Sequence, residues 1–323
     1  MTVTLAQALN TALHDAMDAD DKVVVFGEDV GRLGGVFRIT DKLAERFGSQ
    51  RCFDTPLAES GIVGTAIGMA LYGYRPVVEM QFDGFTYPAF EQIVSHLAKL
   101  RNRSRGTVEV PVVVRIPYGG GIGAVEHHSE SPENLFAHVA GLKVVSPGLP
   151  SDGYSLLREA IDSPDPVIFF EPKRRYWLKE EVELPVTTEP FGRAVIRRPG
   201  ETATLIAYGP MVRTCLDTAA AAEDEGWDLE VVDVRTLVPF DHHTVVDSVR
   251  RTGRAIVVHE AQVFSGFGAE VAAQITERAF YHLEAPVLRV GGFDVPYPPA
   301  KLEEYYLPDV DRILDAVDRS LGY

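Results

Sequence analysis

The sequence predicts an α/β protein of two domains with mostly parallel sheets. Three observations carry this. Short apolar runs rich in β-branched residues, such as Val23–Phe26, Val110–Ile116 and Val167–Phe170, alternate with longer segments of helical periodicity. The alternation lapses between Pro172 and Gly200, where charges cluster as Lys173-Arg174-Arg175 and Lys179-Glu180-Glu181 and prolines stand at 185, 190 and 199, and then it resumes. At 323 residues the chain has the length of two ordinary domains. The expected division is a first domain over residues 1–180, a linker over 181–200 and a second domain over 201–323.

Composition narrows the classes. The chain is 46% hydrophobic and 24% charged, the balance of a globular protein. Its formal net charge is −16 and its pI near 5.0, without the basic face that nucleic-acid binding needs. Such an excess aids solubility and suits a basic protein partner. No apolar run approaches the roughly 20 residues of a membrane span. The opening MTVTLAQAL lacks the basic region and apolar core of a signal peptide. Cys52 and Cys215, assigned to different domains, indicate neither a disulfide framework nor a cysteine metal site, and the expected location is the cytoplasm.

Leu5, Ala8, Leu9, Ala12, Leu13, Ala16 and Met17 mark an opening amphipathic helix. Val23–Phe26 is a buried strand ending in Gly27-Glu28-Asp29. Acids at the carboxyl end of a parallel strand stand where α/β folds place ligands; a solvated strand end is the competing reading. The stretch from Asp54 to Gly106 organises the rest. A turn at Asp54-Thr55-Pro56 delivers Glu59 to the mouth of an apolar helix bearing Ile62, Val63, Ala66, Ile67, Ala70 and Leu71. Gly61, Gly64 and Gly68 lie on its other side. Each glycine costs a helix about 1 kcal/mol against alanine, so three predict very close packing against another helix or chain. A strand over Val77–Phe82 and a turn at Asp83-Gly84 follow. Phe85-Thr86-Tyr87-Pro88 then opens a second helix, with Phe90, Ile93, Val94 and Leu97 as its apolar face. Glu59 reads either as a first-turn acid on the helix dipole or as a half-buried carboxylate able to keep or share a proton.

The strand Val110–Ile116 feeds Tyr118-Gly119-Gly120-Gly121-Ile122-Gly123-Ala124. Gly119, Gly121 and Ala124 fit the dinucleotide pattern G-x-G-x-x-A, but that pattern needs an apolar helix directly afterwards and an acid ending the next strand. Glu126-His127-His128-Ser129-Glu130-Ser131-Pro132 follows instead, and the next strand ends in Ser146-Pro147, so a dinucleotide site is excluded. Adjacent histidines seldom converge on one metal and no third ligand has suitable spacing. That leaves His127 and His128 as exposed loop residues or active-site groups. A helix over Ser151–Ile161 leads through Asp162-Ser163-Pro164-Asp165 to the strand Val167–Glu171. Beyond the linker, strands Ala203–Ala207, Leu229–Val234 and Ala255–Val258 alternate with helices over Met211–Glu225, Asp241–Arg251 and from near Gly268. His259-Glu260 closes the last of these strands, where position alone allows a catalytic role.

DTPLAESGIVGTAIGMAL and EMQFDGFTYPAFEQIVSHLAKLRNRSRG resemble the β subunit of the thiamine-diphosphate-dependent decarboxylase of 2-oxo acid dehydrogenase complexes. The agreement runs from FGEDV at Phe26–Val30 to the C-terminus. It implies a transketolase-like pyrimidine-binding domain followed by a transketolase C-terminal domain. It also implies that Glu59 hydrogen-bonds the aminopyrimidine ring and favours its imino form, that Phe85 stacks on that ring, and that Leu57 and Gln81 line it. Glu28 belongs by resemblance to an acidic network near the cofactor. The family's His-Ser pair falls on His128-Ser129, which makes His128 the residue that orients the substrate carboxylate or acyl intermediate and leaves His127 in the loop. A structural potassium ion is implied at Val112, Ala160, Ile161 and Asp165, although Ser163 stands where an aspartate is expected and Asp165 where an asparagine is. The second domain is implied chiefly to serve assembly, which weighs against catalysis by His259 and Glu260.

Relatives of this kind hold the diphosphate and its Mg²⁺ through a Gly-Asp-Gly motif, and none occurs here, nor does a P-loop. The resemblance therefore implies half an active site, with no Mg²⁺ ligand in this chain. An α subunit is the expected holder of diphosphate and metal, in an assembly of two α and two β chains. The acyl group is implied to pass to a lipoyl arm of an acyltransferase core, docked through that core's subunit-binding domain. His128-Ser129-Glu130-Ser131-Pro132 and Phe169-Phe170-Glu171-Pro172-Lys173 look more like the branched-chain branch than the pyruvate branch. A pyruvate or acetoin enzyme is the alternative, and a non-catalytic assembly subunit is the alternative of another class.

Overall fold

The computed structural model describes residues 1–323 and contains two parallel-rich sheets. In the first, seven strands lie in the order Thr236–Val238, Lys143–Val145, Val167–Pro172, Val113–Tyr118, Arg75–Glu79, Val23–Gly27 and Cys52–Asp54. All neighbours are parallel except Thr236–Val238, which pairs antiparallel with Lys143–Val145. Val23–Gly27, Val113–Tyr118 and Val167–Pro172 are buried throughout, which is why they read as apolar runs broken only by Arg115 and Glu171. The second sheet orders Leu288–Gly292, Ala255–Gln262, Ala203–Ala207, Leu229–Asp233 and Val195–Arg198, with only the last strand antiparallel.

The stretch expected as a linker is itself structured. Val195–Arg198 is the edge strand of the second sheet. Ahead of it the Thr188 amide donates to Ser155 Oγ at 2.9 Å and the Phe191 amide to the Glu159 carboxylate at 3.1 Å. Thr236–Val238, from the second half of the chain, closes one edge of the first sheet. Helix Leu5–Ala19 starts on a capping box of Thr4 and Gln7 and packs against helix Pro150–Asp162.

Helix Glu59–Leu71 buries Ile62, Val63, Ala66, Ile67 and Ala70 as its spacing predicts. Its glycine face has no close partner in this chain. Gly61 and Gly68 are exposed, a Cβ at Gly68 would meet nothing within 4 Å, and Gly64 faces Gln92 at 3.6 Å. The second helix is irregular: a 3₁₀ segment Asp83–Ala89 gives way to a π segment Gln92–Leu97. Such wide turns inside helices cluster at functional sites.

Two buried ionic groups tie the strands. Arg115 donates to Glu171 through Nε at 2.6 Å and a terminal nitrogen at 3.0 Å, and to Glu79 at 2.7 Å. The Tyr176 hydroxyl completes the group on Glu171 at 2.7 Å. All four residues are buried, and burial pushes the Glu79 carboxyl above its usual range. The second group joins helix Pro150–Asp162 to the second sheet: Arg235 Nε reaches Asp152 at 2.9 Å, and Arg197 bonds both Asp152 and Asp233. Breaking a buried pair strands the remaining charge. Arg115→Met should therefore destabilise the chain by about 3–5 kcal/mol in denaturant unfolding, while Arg115→Lys, which keeps the charge, should lose less.

Candidate functional site

Parallel strands aim their carboxyl ends at one edge of the sheet, and the chain places polar side chains there. Glu28 follows Val23–Gly27, Thr55 follows Cys52–Asp54, Gln81 lies just past Arg75–Glu79, and Lys173 follows Val167–Pro172. Val23–Gly27 sits between Cys52–Asp54 and Arg75–Glu79, so strand order reverses here, the switch point at which open α/β sheets hold ligands.

Glu59 is the first residue of helix Glu59–Leu71 and is only 8% exposed, with its backbone at the positive end of the helix dipole. Glu28 is 7% exposed; burial raises its carboxyl, and the charges of Glu59 and Asp29 raise it further. The two acids predicted separately thus lie close enough for the charge of Glu59 to act on the Glu28 carboxyl. Glu28 Oε1 and Thr55 Oγ1 are buried without a hydrogen-bond partner. Gln81 donates to Asp29 at 2.8 Å, while Asp29 holds a left-handed φ of 58°. Leu57 lies outside the pair at 81% exposed.

The 3₁₀ segment Asp83–Ala89 packs on helix Glu59–Leu71 and carries Phe85. Phe85 stands edge-on to His128 at 5.1 Å, and Phe82 lies 4.1 Å from the same imidazole. Burial lowers the His128 pKa, and the charges of His127 and Lys173 lower it further, so the ring is neutral near pH 7. Its Nδ1 is buried and unpartnered. His127 is exposed beside it.

Sequence reasoning missed the groups beneath this ring. Lys173 donates to Asp83 and, at 3.3 Å, to the Pro117 carbonyl; both charged side chains are fully buried. Burial pushes Asp83 up to about 6 and lowers Lys173, each opposed by the other's charge. The other Asp83 oxygen accepts the Glu130 amide at 2.9 Å, two residues beyond His128. Position alone could have offered Asp83, which follows a strand, but nothing local marks its partner ninety residues away. The buried, unpartnered acceptors about Glu28, Thr55 and His128, with an aromatic face at Phe85, fit a flat heterocycle bearing ring nitrogens and an amino group.

The four potassium positions do not fit a cation as they stand. Asp165 is paired with Arg101 at 3.2 Å and Lys143 at 3.3 Å, and Lys143 also bonds Ser163 Oγ at 3.0 Å. The Ile161 carbonyl accepts from Arg75 at 2.9 Å, the Ala160 carbonyl from the Ser163 amide, and the Val112 carbonyl from the Val167 amide. The chain's own cations occupy this turn. His259 and Glu260 lie within strand Ala255–Gln262 rather than past its end, and His259 is wholly buried with Nδ1 on the Ala261 carbonyl at 3.0 Å.

Behind the loop, Glu133 is fully buried; one oxygen accepts the Tyr208 hydroxyl at 2.7 Å and the other has no partner. Burial raises its carboxyl from 4.5 to about 8. The folded chain therefore keeps a proton that the unfolded chain loses, and stability falls as pH rises from 4.5 to about 8. Denaturant unfolding should show Glu133→Gln, which keeps an acceptor for Tyr208, losing less stability across that window. The difference approaches about 1.4 kcal/mol per pH unit at most.

Residues 1–177 match the transketolase pyrimidine-binding domain and residues 192–313 the transketolase C-terminal domain. The chain is 56% identical over 321 residues to the 3-methyl-2-oxobutanoate dehydrogenase subunit beta of Mycobacterium tuberculosis, covering 99% of this chain and 92% of that one. It is also 56% identical over 322 residues to the pyruvate dehydrogenase E1 component subunit beta of Leifsonia xyli subsp. xyli, covering 100% and 96%. The 2-oxoisovalerate dehydrogenase subunit beta of Pseudomonas aeruginosa is 45% identical over 335 residues, covering 98% and 95%. Among solved structures, a split-gene transketolase described as an inactive beta4 tetramer superposes with a TM-score of 0.81 at 24% identity, over 99% of this chain and 98% of that one.

Proposed function

Since this chain belongs to the transketolase-like β subunits of 2-oxo acid dehydrogenases, we propose that it carries the pyrimidine-side half of a thiamine-diphosphate site in a branched-chain 2-oxo acid decarboxylase. The single observation that carries this is the pair of buried acids Glu28 and Glu59 at the sheet's switch point, with helix Glu59–Leu71 packed on the segment that bears Phe85. Thiamine diphosphate, when bound, supplies the electron sink for decarboxylation. Glu59, with Glu28, would hold and exchange a proton at a pyrimidine ring nitrogen; burial and the charge of Glu59 make the Glu28 carboxyl keep its proton more readily. Phe85 would stack on the ring, with Gln81 at its rim and Leu57 against the subunit that covers it. His128, neutral and with a free buried nitrogen, would orient the substrate carboxylate.

The β subunit implies an α subunit. The sequence contains no Gly-Asp-Gly motif, so the α chain would hold the diphosphate and Mg²⁺, and the exposed glycine face of helix Glu59–Leu71 suits a second chain. Two α and two β chains in the cytoplasm, delivering the acyl group to a lipoyl acyltransferase core that docks on the second domain, complete the reading. Both cysteines are buried and free, as in a reducing compartment. No helix is long and apolar enough to cross a membrane. A potassium ion at the implied turn would have to displace Arg75 from the Ile161 carbonyl and Arg101 and Lys143 from Asp165. The second reading is a pyruvate enzyme, favoured by the equal identity to the Leifsonia chain.

A panel of 2-oxo acids with a dye acceptor, given to the enzyme co-expressed with its α subunit, separates the two. Turnover of 3-methyl-2-oxobutanoate well above pyruvate is expected, and the reverse order selects the second reading. In the same complex Glu59→Gln should assemble normally yet slow exchange of the cofactor's C2 proton by about 10²–10⁴-fold, the range for one general acid–base group. Normal exchange would refute the role of Glu59.

A further inference from the structure

We propose that the second domain positions the loop bearing His128, through Glu260, Tyr297 and Glu303. The inference rests on the reading of His128 given above. The loop leaves strand Val113–Tyr118 at Gly119 and returns at Glu130, whose carbonyl accepts the Gly119 amide at 2.8 Å. Between these points its crown amides turn to residues of the second half of the chain. Gly120 donates to Glu260 Oε1, Gly121 to the Tyr297 hydroxyl at 3.3 Å, and Gly123 to the two Glu303 oxygens at 3.2 and 3.3 Å. The Tyr297 hydroxyl donates in turn to Glu303 Oε2 at 2.8 Å, so two of the three acceptors are joined to each other.

The fit leaves no slack. A Cβ at Gly120 would overlap the Tyr297 hydroxyl, and Gly119, at φ 79°, would thrust one into the Glu260 carboxylate. Amides of a glycine-rich turn form a concavity for an anion. Here the chain's own carboxylates fill it, which is also why the glycine run is no dinucleotide site. Farther along, Asn134 donates to the Ser265 carbonyl at 2.5 Å and Glu133 accepts from Tyr208. Asp83 holds the loop from its other side through the Glu130 amide. His128 is thus suspended between a grip in the first domain and a clamp from the second. Glu260, Tyr297 and Glu303 act on backbone amides, not on reacting atoms, so they are positioning residues.

The test uses the assembled enzyme with its α subunit and 3-methyl-2-oxobutanoate, with a dye acceptor. Tyr297→Phe keeps the ring and removes the hydroxyl, Glu303→Ala removes the acceptor, and Glu303→Gln retains an acceptor oxygen. Tyr297→Phe and Glu303→Ala should raise KM roughly 10-fold, the scale of a lost hydrogen bond. They should also speed amide hydrogen exchange across residues 119–130. Cofactor C2 proton exchange, which reports the Glu59 side, should stay unchanged, and Glu303→Gln should recover most of the loss. Faster amide exchange with unchanged KM and kcat overturns the inference. So does a fall in C2 exchange together with lost assembly, which would mean general damage. His128→Ala serves as the reference: no effect there overturns the reading of His128 itself, whereas an effect there without one from Tyr297→Phe overturns the clamp alone.

Discussion

The ion pair between Lys173 and Asp83 is the contact on which the site depends. It joins the ends of three neighbouring strands: Lys173 follows Val167–Pro172, its ammonium touches the carbonyl of Pro117 in Val113–Tyr118, and Asp83 lies beyond Arg75–Glu79. Neither side chain reaches solvent. Two buried charges persist only if each satisfies the other and the remaining lone pairs find donors. The Glu130 amide and the Pro117 carbonyl meet that demand, so the pair carries the loop of His128 with it. Burial opposes ionisation of both partners, which makes the pair weak evidence for stability and better evidence for fixed geometry.

Around this pair the chain keeps polar atoms that it does not itself satisfy. Glu28 Oε1, Thr55 Oγ1, His128 Nδ1 and Ser129 Oγ are buried without partners, in a protein whose other buried charges are mostly paired. Unsatisfied buried groups cost free energy comparable to a lost hydrogen bond. Glu28 and Thr55 lie at the carboxyl edge of the first sheet, where a ligand and a second chain would complete them, while His14, Glu133, Arg174, His259 and Glu260 also keep an unpartnered buried atom. The open glycine face of helix Glu59–Leu71 and the exposed Leu57 lie beside the same edge.

The alternation of strands and helices was legible because buried parallel strands are short apolar runs. Glu59 and Glu28 could be placed at the sheet's carboxyl edge because each sits where a strand or turn hands the chain to it, whereas their roles and that of Phe85 came from the resemblance and not from a local pattern. What stayed hidden was long-range. Arg115 meets Glu171 across 56 positions and Lys173 meets Asp83 across 90, and neither leaves a local pattern. The segment from Phe85 to Leu97 read as an ordinary helix, since its apolar spacing cannot distinguish 3₁₀ and π turns from regular ones. The turn at Ser163–Asp165 carried a resemblance to a cation site, yet the arginines and lysine that fill it come from distant strands and helices.

Thr236–Val238 gives the architecture an order in time. Lys143–Val145 has a partner on one side from Val167–Pro172, but its other side is covered only by this three-residue strand from far downstream. A chain growing from its N-terminus leaves that edge bare until about residue 238 has been made. Bare edges recruit stray strands, and nascent domains are most vulnerable while they wait. Two features limit the hazard: Lys143–Val145 is only three residues long, and Lys143 places a charge on it. A short, charged edge thus limits the hazard until the second half of the chain covers it.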